Sequence, residues 1–190
     1  MQNNISNKSS DVKTIIVITL KLLIIGVVTA VLLALVNELT KDKIADNTEK
    51  EKRGAIGELF TGGINITPYL GDMPDDIGIN DISIIRENDA FVGYVAEVAP
   101  VGFGGEITLM VGVDKNGAVV GVKVISHGET AGLGSRVSDA AYLEGYKGAD
   151  GSTVGNVDLI SGATISSKAV REGVKTALSA YSIVIGGGVQ

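Results

Sequence analysis

The sequence predicts an α+β protein: a single N-terminal transmembrane helix followed by one domain, in which helices pack on a twisted antiparallel sheet. Three observations predict this fold. A long apolar run lies near the N-terminus, segments rich in β-branched residues alternate with turn sequences, and a helical pattern follows near the C-terminus. We divide the chain into an N-terminal tail (1–13), a transmembrane helix (14–36), a helical stalk (37–63) and a folded domain (64–190).

Composition restricts the chemistry that this chain can perform. The 190 residues carry a net charge of −6 and include one histidine and no cysteine. The chain therefore has no disulfides, thiolate metal sites or cysteine-ligated clusters, and one histidine cannot form a multi-histidine metal site. An acidic chain is a poor candidate for binding nucleic acid, which needs a basic surface. If the protein handles electrons, an organic cofactor must carry them.

The apolar run at residues 14–36 contains one charge, that of Lys21. As a helix it extends roughly 34 Å, enough to cross a hydrocarbon core of about 30 Å. A cleaved signal peptide is the alternative, but its apolar region usually spans only about 7–15 residues. Lys21 can extend its charge toward the N-terminal interface. Basic residues in the stalk mildly favour a domain on the inner side of the membrane.

The stalk is predicted to end at Gly62-Gly63, and residues 67–80 are predicted to be an irregular connection because they are rich in Pro and Gly. The predicted strands are Ile82–Arg86, Ala90–Val98, Glu106–Val113 and Ala118–Ser126. The last two strands flank an Asn-Gly turn and form the clearest hairpin. Apolar residues at helical spacing predict a final helix over Ser166–Tyr181.

A segment with small and hydroxyl-bearing residues, Asp158-Leu159-Ile160-Ser161-Gly162-Ala163-Thr164, leads into that final helix. Small side chains let a bulky group approach the backbone, and the free N–H groups of residues 164–166 favour an anion such as phosphate. A plain helix N-cap at Ser161 or Thr164 is the alternative. The residues by themselves leave both interpretations open.

A second glycine-rich segment, residues 126–135 (SHGETAGLGS), follows the last predicted strand. Its polar side chains could converge on a ligand. His127 could instead be an ordinary structural group, and a hydrolase built on Ser126 and His127 would lack a GxSxG nucleophile elbow. The glycine-rich loop Pro100–Gly105 is not GxGxxG and no helix follows it, so it predicts no dinucleotide site.

Together the two segments resemble the signatures of the FMN-binding domain family. Ser-Gly-Ala-Thr at 161–164, with Asp158 before it, resembles the family's flavinylation motif, and His-x-Glu-Thr-x-Gly-Leu-Gly at 127–134 resembles its second signature. A short anchor followed by about 150 residues is similar to the G subunits of the Rnf complex, a membrane-bound ferredoxin:NAD oxidoreductase. The related C subunits of the sodium-pumping NADH:quinone reductase are usually longer. The resemblance covers nearly the whole chain.

This resemblance implies that Thr164 carries FMN through a phosphoester, and that Asp158 helps a flavin transferase to recognise the site. The residues implied to bind the cofactor are Ser161, Gly162, Ala163, Thr164, Ile165, Glu129, Thr130, Gly132, Leu133 and Gly134. His127 would only hold its loop, and no residue is implied to be catalytic or to bind a metal. The family commonly has Pro where this chain has Ala131, which loosens the loop without affecting the attachment site.

The implied function is electron relay within a redox complex rather than turnover of a free substrate. The partners would be other membrane subunits of the same complex, with no nucleic acid. The resemblance implies one pass through the bacterial cell membrane with the domain on the outer face, against the weak charge signal of the stalk. The alternatives are a C-subunit-like flavin carrier and a non-redox, membrane-tethered binding or assembly module, which would be colourless.

Overall fold

The computed structural model describes residues 3–72, 74 and 77–187, with side chains described from Lys13 onward except at positions 42 and 45. The chain separates into two compact units, one ending at Thr48 and the other beginning at Glu49. The first helix, α1, extends over Asn3–Leu59. The residues predicted as a tail are therefore helical from Asn3, and the division between the compact units lies within the predicted stalk. The other segment boundaries stay predictions.

The apolar part of α1 has no protein cover within the first unit. Its large side chains between Ile15 and Val36 are each about half exposed or more, and Leu33 is 71% exposed. Within the described part of the chain, α1 is the one helix with the length and composition needed to cross a membrane. The Thr29 hydroxyl donates to the Ile25 carbonyl at 3.0 Å, so this polar side chain is satisfied inside the helix.

The second unit contains, among its described residues, a five-stranded sheet with helices. The strands are β1 (Ile64–Pro68), β2 (Ile79–Glu87), β3 (Ala90–Val98), β4 (Ile107–Asp114) and β5 (Val119–His127). The remaining helices are α2 (Ala140–Glu144), α3 (Thr164–Ser179) and α4 (Tyr181–Gly186), with short 3-10 helices at Gly134–Ser138 and Val154–Asn156. The strands are antiparallel in the order β1-β2-β3-β4-β5. The predicted α+β class is confirmed.

Four of the five strands agree with the predicted ones, and β1 is a correction. Residues 67 and 68 belong to β1 and residues 79 and 80 to β2, so the irregular connection is shorter than the predicted 67–80. Pro68 made a strand difficult to predict here, because proline cannot donate a ladder hydrogen bond. Since β1 pairs only with β2 and lies at the edge of the sheet, the missing donor is tolerated.

Each face of the sheet has its own apolar core, as the alternation of side chains along the strands requires. On one face α3 packs against β3 and β4, and the buried Tyr94 hydroxyl donates to the Ala177 carbonyl of α3 at 2.8 Å. On the other face lie Ala55, Ile56 and Phe60, at the end of α1 and just beyond it. The packing of α3 against β3 and β4 fixes this helix on the sheet, and it thereby fixes the position of Thr164, the first residue of α3.

Candidate functional site

The start of α3 presents free backbone donors beside a free hydroxyl. Ala163 occupies the N-cap position with φ −127° and ψ 36°, and no side chain caps the helix. Among the described residues, neither the N–H groups of Thr164, Ile165 and Ser166 nor the Thr164 hydroxyl has a hydrogen-bond partner. The alternative of a plain N-cap at Ser161 or Thr164 is therefore wrong. Such a helix start favours an anion.

The turn before α3 is held in place from beneath by Ser167. Its buried hydroxyl donates to the Ala163 carbonyl at 2.8 Å and accepts from the Ile160 N–H at 3.3 Å. The Ala163 N–H also donates to the Ile160 carbonyl at 3.0 Å. Gly162 completes the turn at φ +81°, a conformation that a side chain would disfavour. Hydrogen bonds within the chain thus hold the backbone that precedes Thr164.

A buried carboxylate, that of Glu129, joins the start of α3 to the loop between β3 and β4. Its Oε2 accepts from the Ser166 hydroxyl at 2.8 Å, and its Oε1 accepts from the N–H groups of Phe103 and Gly104 at 2.8 and 3.2 Å. Burial acts to raise the pKa of Glu129. The hydrogen bonds from Ser166, Gly104 and Phe103, together with nearby His127, outweigh burial and hold this pKa below its ordinary value. The group is therefore an anion at neutral pH.

Two glycines make room for this carboxylate. A Cβ at Gly102 would collide with Oε1 of Glu129, and a Cβ at Gly134 would collide with Oε2. Gly134 has no positive φ, so space rather than backbone conformation excludes a side chain there. The Pro100–Gly105 loop was not expected to belong to the site, but two of its N–H groups bind Glu129 and Phe103 lines the cavity. A phenylalanine within a glycine-rich run, Gly102-Phe103-Gly104-Gly105, was the sequence signal that could have identified the loop.

These segments enclose a cavity of about 300 Å³. That volume is at the lower end of the range for small-molecule sites, roughly 300–1,000 Å³. Three apolar side chains at its rim, those of Phe103, Leu133 and Ile165, are 70%, 50% and 55% exposed. The lining residues are Phe103, Glu129, Thr130, Leu133, Gly134, Gly162, Ala163, Thr164, Ile165 and Ser166. The cavity thus combines a helix start with free N–H groups and exposed apolar surface.

Eight of the ten residues expected to bind a cofactor line this cavity, and Ser161 and Gly132 do not. Ser161 is exposed in the turn, and the Gly132 N–H donates to the Ser135 hydroxyl at 2.9 Å. Asp158 is exposed and lies outside the lining. Phe103 was not expected in the lining, and Ser166 was expected to contribute only its backbone N–H. The roles of all these residues toward a cofactor stay predictions.

Ser126 and His127 do not form a nucleophile–base pair. The Ser126 hydroxyl donates to the Thr108 hydroxyl at 3.0 Å, whereas Nδ1 of His127 accepts from the Glu129 N–H at 3.2 Å. Both contacts hold strand and loop backbone in place. The geometry gives no support to a hydrolase.

A larger cavity, of about 660 Å³, lies on the sheet face that is covered by the end of α1. It is lined by residues of both charges, including Arg53 and the ion pair between Lys52 and Glu97 at 2.7 Å. Glu49 and Asp81 add two further carboxylates. Because no helix start points into this cavity and its carboxylates repel anions, it is a poorer phosphate site than the smaller one.

Comparison with known proteins identifies the family. The FMN-binding domain family matches residues 102–179, which include every residue that lines the smaller cavity, and the RnfG N-terminal region matches residues 1–59. The crystal structure of Shewanella oneidensis NqrC is 23% identical with a TM-score of 0.46, covering 59% of this chain and 69% of that chain.

Three relatives are G subunits by name. The G subunit of the ion-translocating oxidoreductase complex of Escherichia coli is 34% identical over 77% of this chain and 81% of that protein. The G subunit of the complex of the same name from Methanosarcina acetivorans is 31% identical over 91% and 97%. The G subunit of the proton-translocating ferredoxin:NAD(+) oxidoreductase complex of Clostridium ljungdahlii is 27% identical over 95% and 98%. This chain therefore belongs to the family of G subunits of Rnf-type ion-translocating oxidoreductase complexes.

Proposed function

We propose that this chain, a flavin-carrying subunit of an Rnf-type complex, holds FMN through a phosphoester to Oγ1 of Thr164 and relays electrons with it. One observation carries the proposal: an exposed, unpartnered threonine hydroxyl stands at the start of a helix whose first three N–H groups are free. A phosphate at this position would receive those N–H groups and the favourable end of the helix dipole. FMN supplies one- and two-electron chemistry that the side chains of this cysteine-free chain lack.

The cavity residues fit the remainder of such a cofactor. Phe103, Leu133 and Ile165 offer apolar surface to an aromatic ring, and their exposure leaves that surface open to the outside. Thr130 adds a hydroxyl, and the bound carboxylate of Glu129 holds the Phe103 loop against α3. A ring in this position could exchange electrons with a neighbouring protein of the complex without leaving the chain.

Attachment would be performed by a flavin transferase that uses FAD and a divalent metal. In that step the bond between Thr164 Oγ1 and phosphorus forms, the pyrophosphate bond of FAD breaks, AMP leaves, and the hydroxyl proton passes to a base. Asp158 is exposed beyond the cavity wall, where a separate protein could contact it. We assign Asp158 to that recognition rather than to FMN binding.

The membrane arrangement is also part of the proposal: one pass through the cell membrane, with the domain on the outer face. Absence of cysteine allows a direct test, since one introduced cysteine is then the only thiol in the chain. Asn88→Cys, at the exposed β2–β3 turn, should react with a membrane-impermeant maleimide in spheroplasts. Labelling only after the membrane is broken would place the domain inside.

The test of attachment is intact-mass analysis of the full-length chain purified from a host that contains the transferase. We expect a gain equal to FMN minus one water, which peptide mapping assigns to Thr164. Thr164→Val should lose this gain, whereas Ser161→Ala, which removes the neighbouring exposed hydroxyl, should keep it. An unmodified wild-type chain from such a host would refute the covalent link.

A further inference from the structure

The wall of the smaller cavity contains a carboxylate that forms no ion pair among the described residues. Glu129 is only 8% exposed, and its three hydrogen-bond donors are neutral groups on Ser166, Phe103 and Gly104. The ion pairs of the described chain do not include Glu129. Nδ1 of His127 accepts from the backbone N–H of Glu129 at 3.2 Å, so this contact does not involve the carboxylate.

Holding the loop to the helix does not by itself require a carboxylate. A glutamine could accept from the Phe103 and Gly104 N–H groups through its oxygen and donate to the Ser166 hydroxyl through its amide. A glutamine would need the same space beside Gly102 and Gly134, so these glycines are compatible with either side chain. Compared with a glutamine, the carboxylate adds a negative charge, and this charge produces an electrostatic field inside the cavity.

We infer that the Glu129 carboxylate is a positioning and tuning group, placed in the cavity wall to lower the reduction potential of the bound flavin. The inference rests on the proposed function. Uptake of two electrons and one proton adds one negative charge to the flavin ring, and a fixed anion nearby disfavours that charge. At an effective dielectric constant of about 20, a unit charge within about 12 Å changes such an equilibrium tenfold or more.

The test is a reductive titration with dithionite and redox mediators on the flavin-loaded, full-length chain in detergent. Glu129→Gln keeps the shape and removes the charge. We expect it to raise the equilibrium constant for two-electron reduction at least tenfold, which is about 30 mV in a two-electron couple. Glu106→Gln removes the same formal charge from an exposed residue at the base of the same loop and should change the constant less than twofold.

Two further variants separate charge from structure. Ser166→Ala removes one hydrogen bond and keeps the carboxylate, and Glu129→Asp keeps the charge on a shorter side chain. Neither should give the tenfold rise. Wild-type potential in Glu129→Gln, or the same rise in Ser166→Ala, overturns the inference. If Glu129→Gln does not load flavin, Glu129→Asp becomes the deciding variant. A tenfold rise in its equilibrium constant for two-electron reduction would show that the geometry of residue 129, and not its charge, sets the potential, and would overturn the inference.

Flavin content, measured by mass in every variant, separates this inference from the proposed function. Wild-type protein without flavin would reject both. Flavin on Thr164 with an unchanged potential in Glu129→Gln would reject the tuning role alone. Thermal unfolding of the flavin-free Thr164→Val chain, with and without Glu129→Gln, gives an independent measure of what the substitution does to the fold.

Discussion

Gly134→Ala is the smallest change that should displace the buried carboxylate. The backbone at Gly134 has no positive φ, so alanine is compatible with its conformation. The added Cβ would overlap Oε2 of Glu129, and it would lie 3.0 Å from the Glu129 Cβ and 3.1 Å from the Ser166 hydroxyl oxygen. The Glu129 side chain must therefore move, and its hydrogen bonds to Ser166 and to the Phe103 loop must lengthen or break.

The expected cost follows from those contacts. Overpacking in a filled site typically costs about 1–3 kcal/mol. A hydrogen bond to a charged group contributes roughly 1.5–3 kcal/mol, and water can replace part of that loss at the exposed Phe103 loop. We therefore expect the free energy of unfolding to fall by about 2–4 kcal/mol. For a chain of this size that corresponds to a decrease in Tm of roughly 4–16 °C.

The assay is thermal unfolding of the full-length chain in detergent, followed by circular dichroism. Gly155→Ala is the matched control, because its added Cβ meets no atom within 4 Å and its φ is not positive. It should change the free energy of unfolding by less than about 1 kcal/mol. The decisive comparison is a double-mutant cycle with Glu129→Ala, which removes the carboxylate that Gly134→Ala would strike.

In the Glu129→Ala background, Gly134→Ala should cost at least about 1 kcal/mol less than in wild type. An equal decrease in the free energy of unfolding in both backgrounds would mean that the destabilisation comes from the backbone at Gly134 and not from its contact with Glu129. A Gly134→Ala chain as stable as wild type would refute the proposed fit between glycine and carboxylate altogether.

Three other predictions concern separate parts of the second unit. Phe103→Ala should leave Tm nearly unchanged because the ring is 70% exposed, yet increase quenching of flavin fluorescence by iodide; unchanged quenching would exclude Phe103 from the flavin site. Burial raises the pKa of the Tyr94 hydroxyl in the folded state. Because the unfolded chain loses this proton near pH 10 and the folded chain keeps it, the free energy of unfolding falls as pH rises above about 10. Tyr94→Phe should therefore lose less Tm than wild type between pH 8 and pH 10.5. An equal loss in both proteins would contradict the role of Tyr94 in this pH dependence. Asp89→Gly should raise the free energy of unfolding by about 0.5–1 kcal/mol, because Asn88 and Asp89 both have positive φ, at 49° and 66°, which glycine adopts more easily. A lower Tm in this variant would show that the Asp89 side chain stabilises the turn by more than its backbone strain costs.

Local chemistry made much of the fold predictable. The β4–β5 hairpin was predicted because Asn116-Gly117 supplies a turn that needs no distant partner, and Gly117 indeed has φ +84°. The spacing of apolar residues predicted a helix over Ser166–Tyr181, and the structure has α3 over Thr164–Ser179 followed by the short helix α4. By contrast, β1 was missed because its strand character depends on pairing with β2, and Pro68 argued against it.

The candidate site was only partly predictable for the same reason. Thr164 and Glu129 lie in recognisable motifs, but Phe103 and Gly104 reach Glu129 across 26 and 25 positions in the chain, and Ser166 across 37. Gly102 and Gly134 matter because of what approaches them in space. Gly134 belongs to the 127–134 signature, but no local pattern shows that it and Gly102 make room for a carboxylate.

Thr164 stands outside both apolar cores, and this has a consequence for the order in which the mature protein is made. The cores contain none of the three rim side chains, Phe103, Leu133 and Ile165, and the turn before α3 is fixed by Ser167. Neither core therefore depends on the cofactor to fill it. We expect a cell that is short of flavin to accumulate folded, colourless chains that can receive flavin later. Attachment of flavin would then be a late maturation step on which the stability of the chain does not depend.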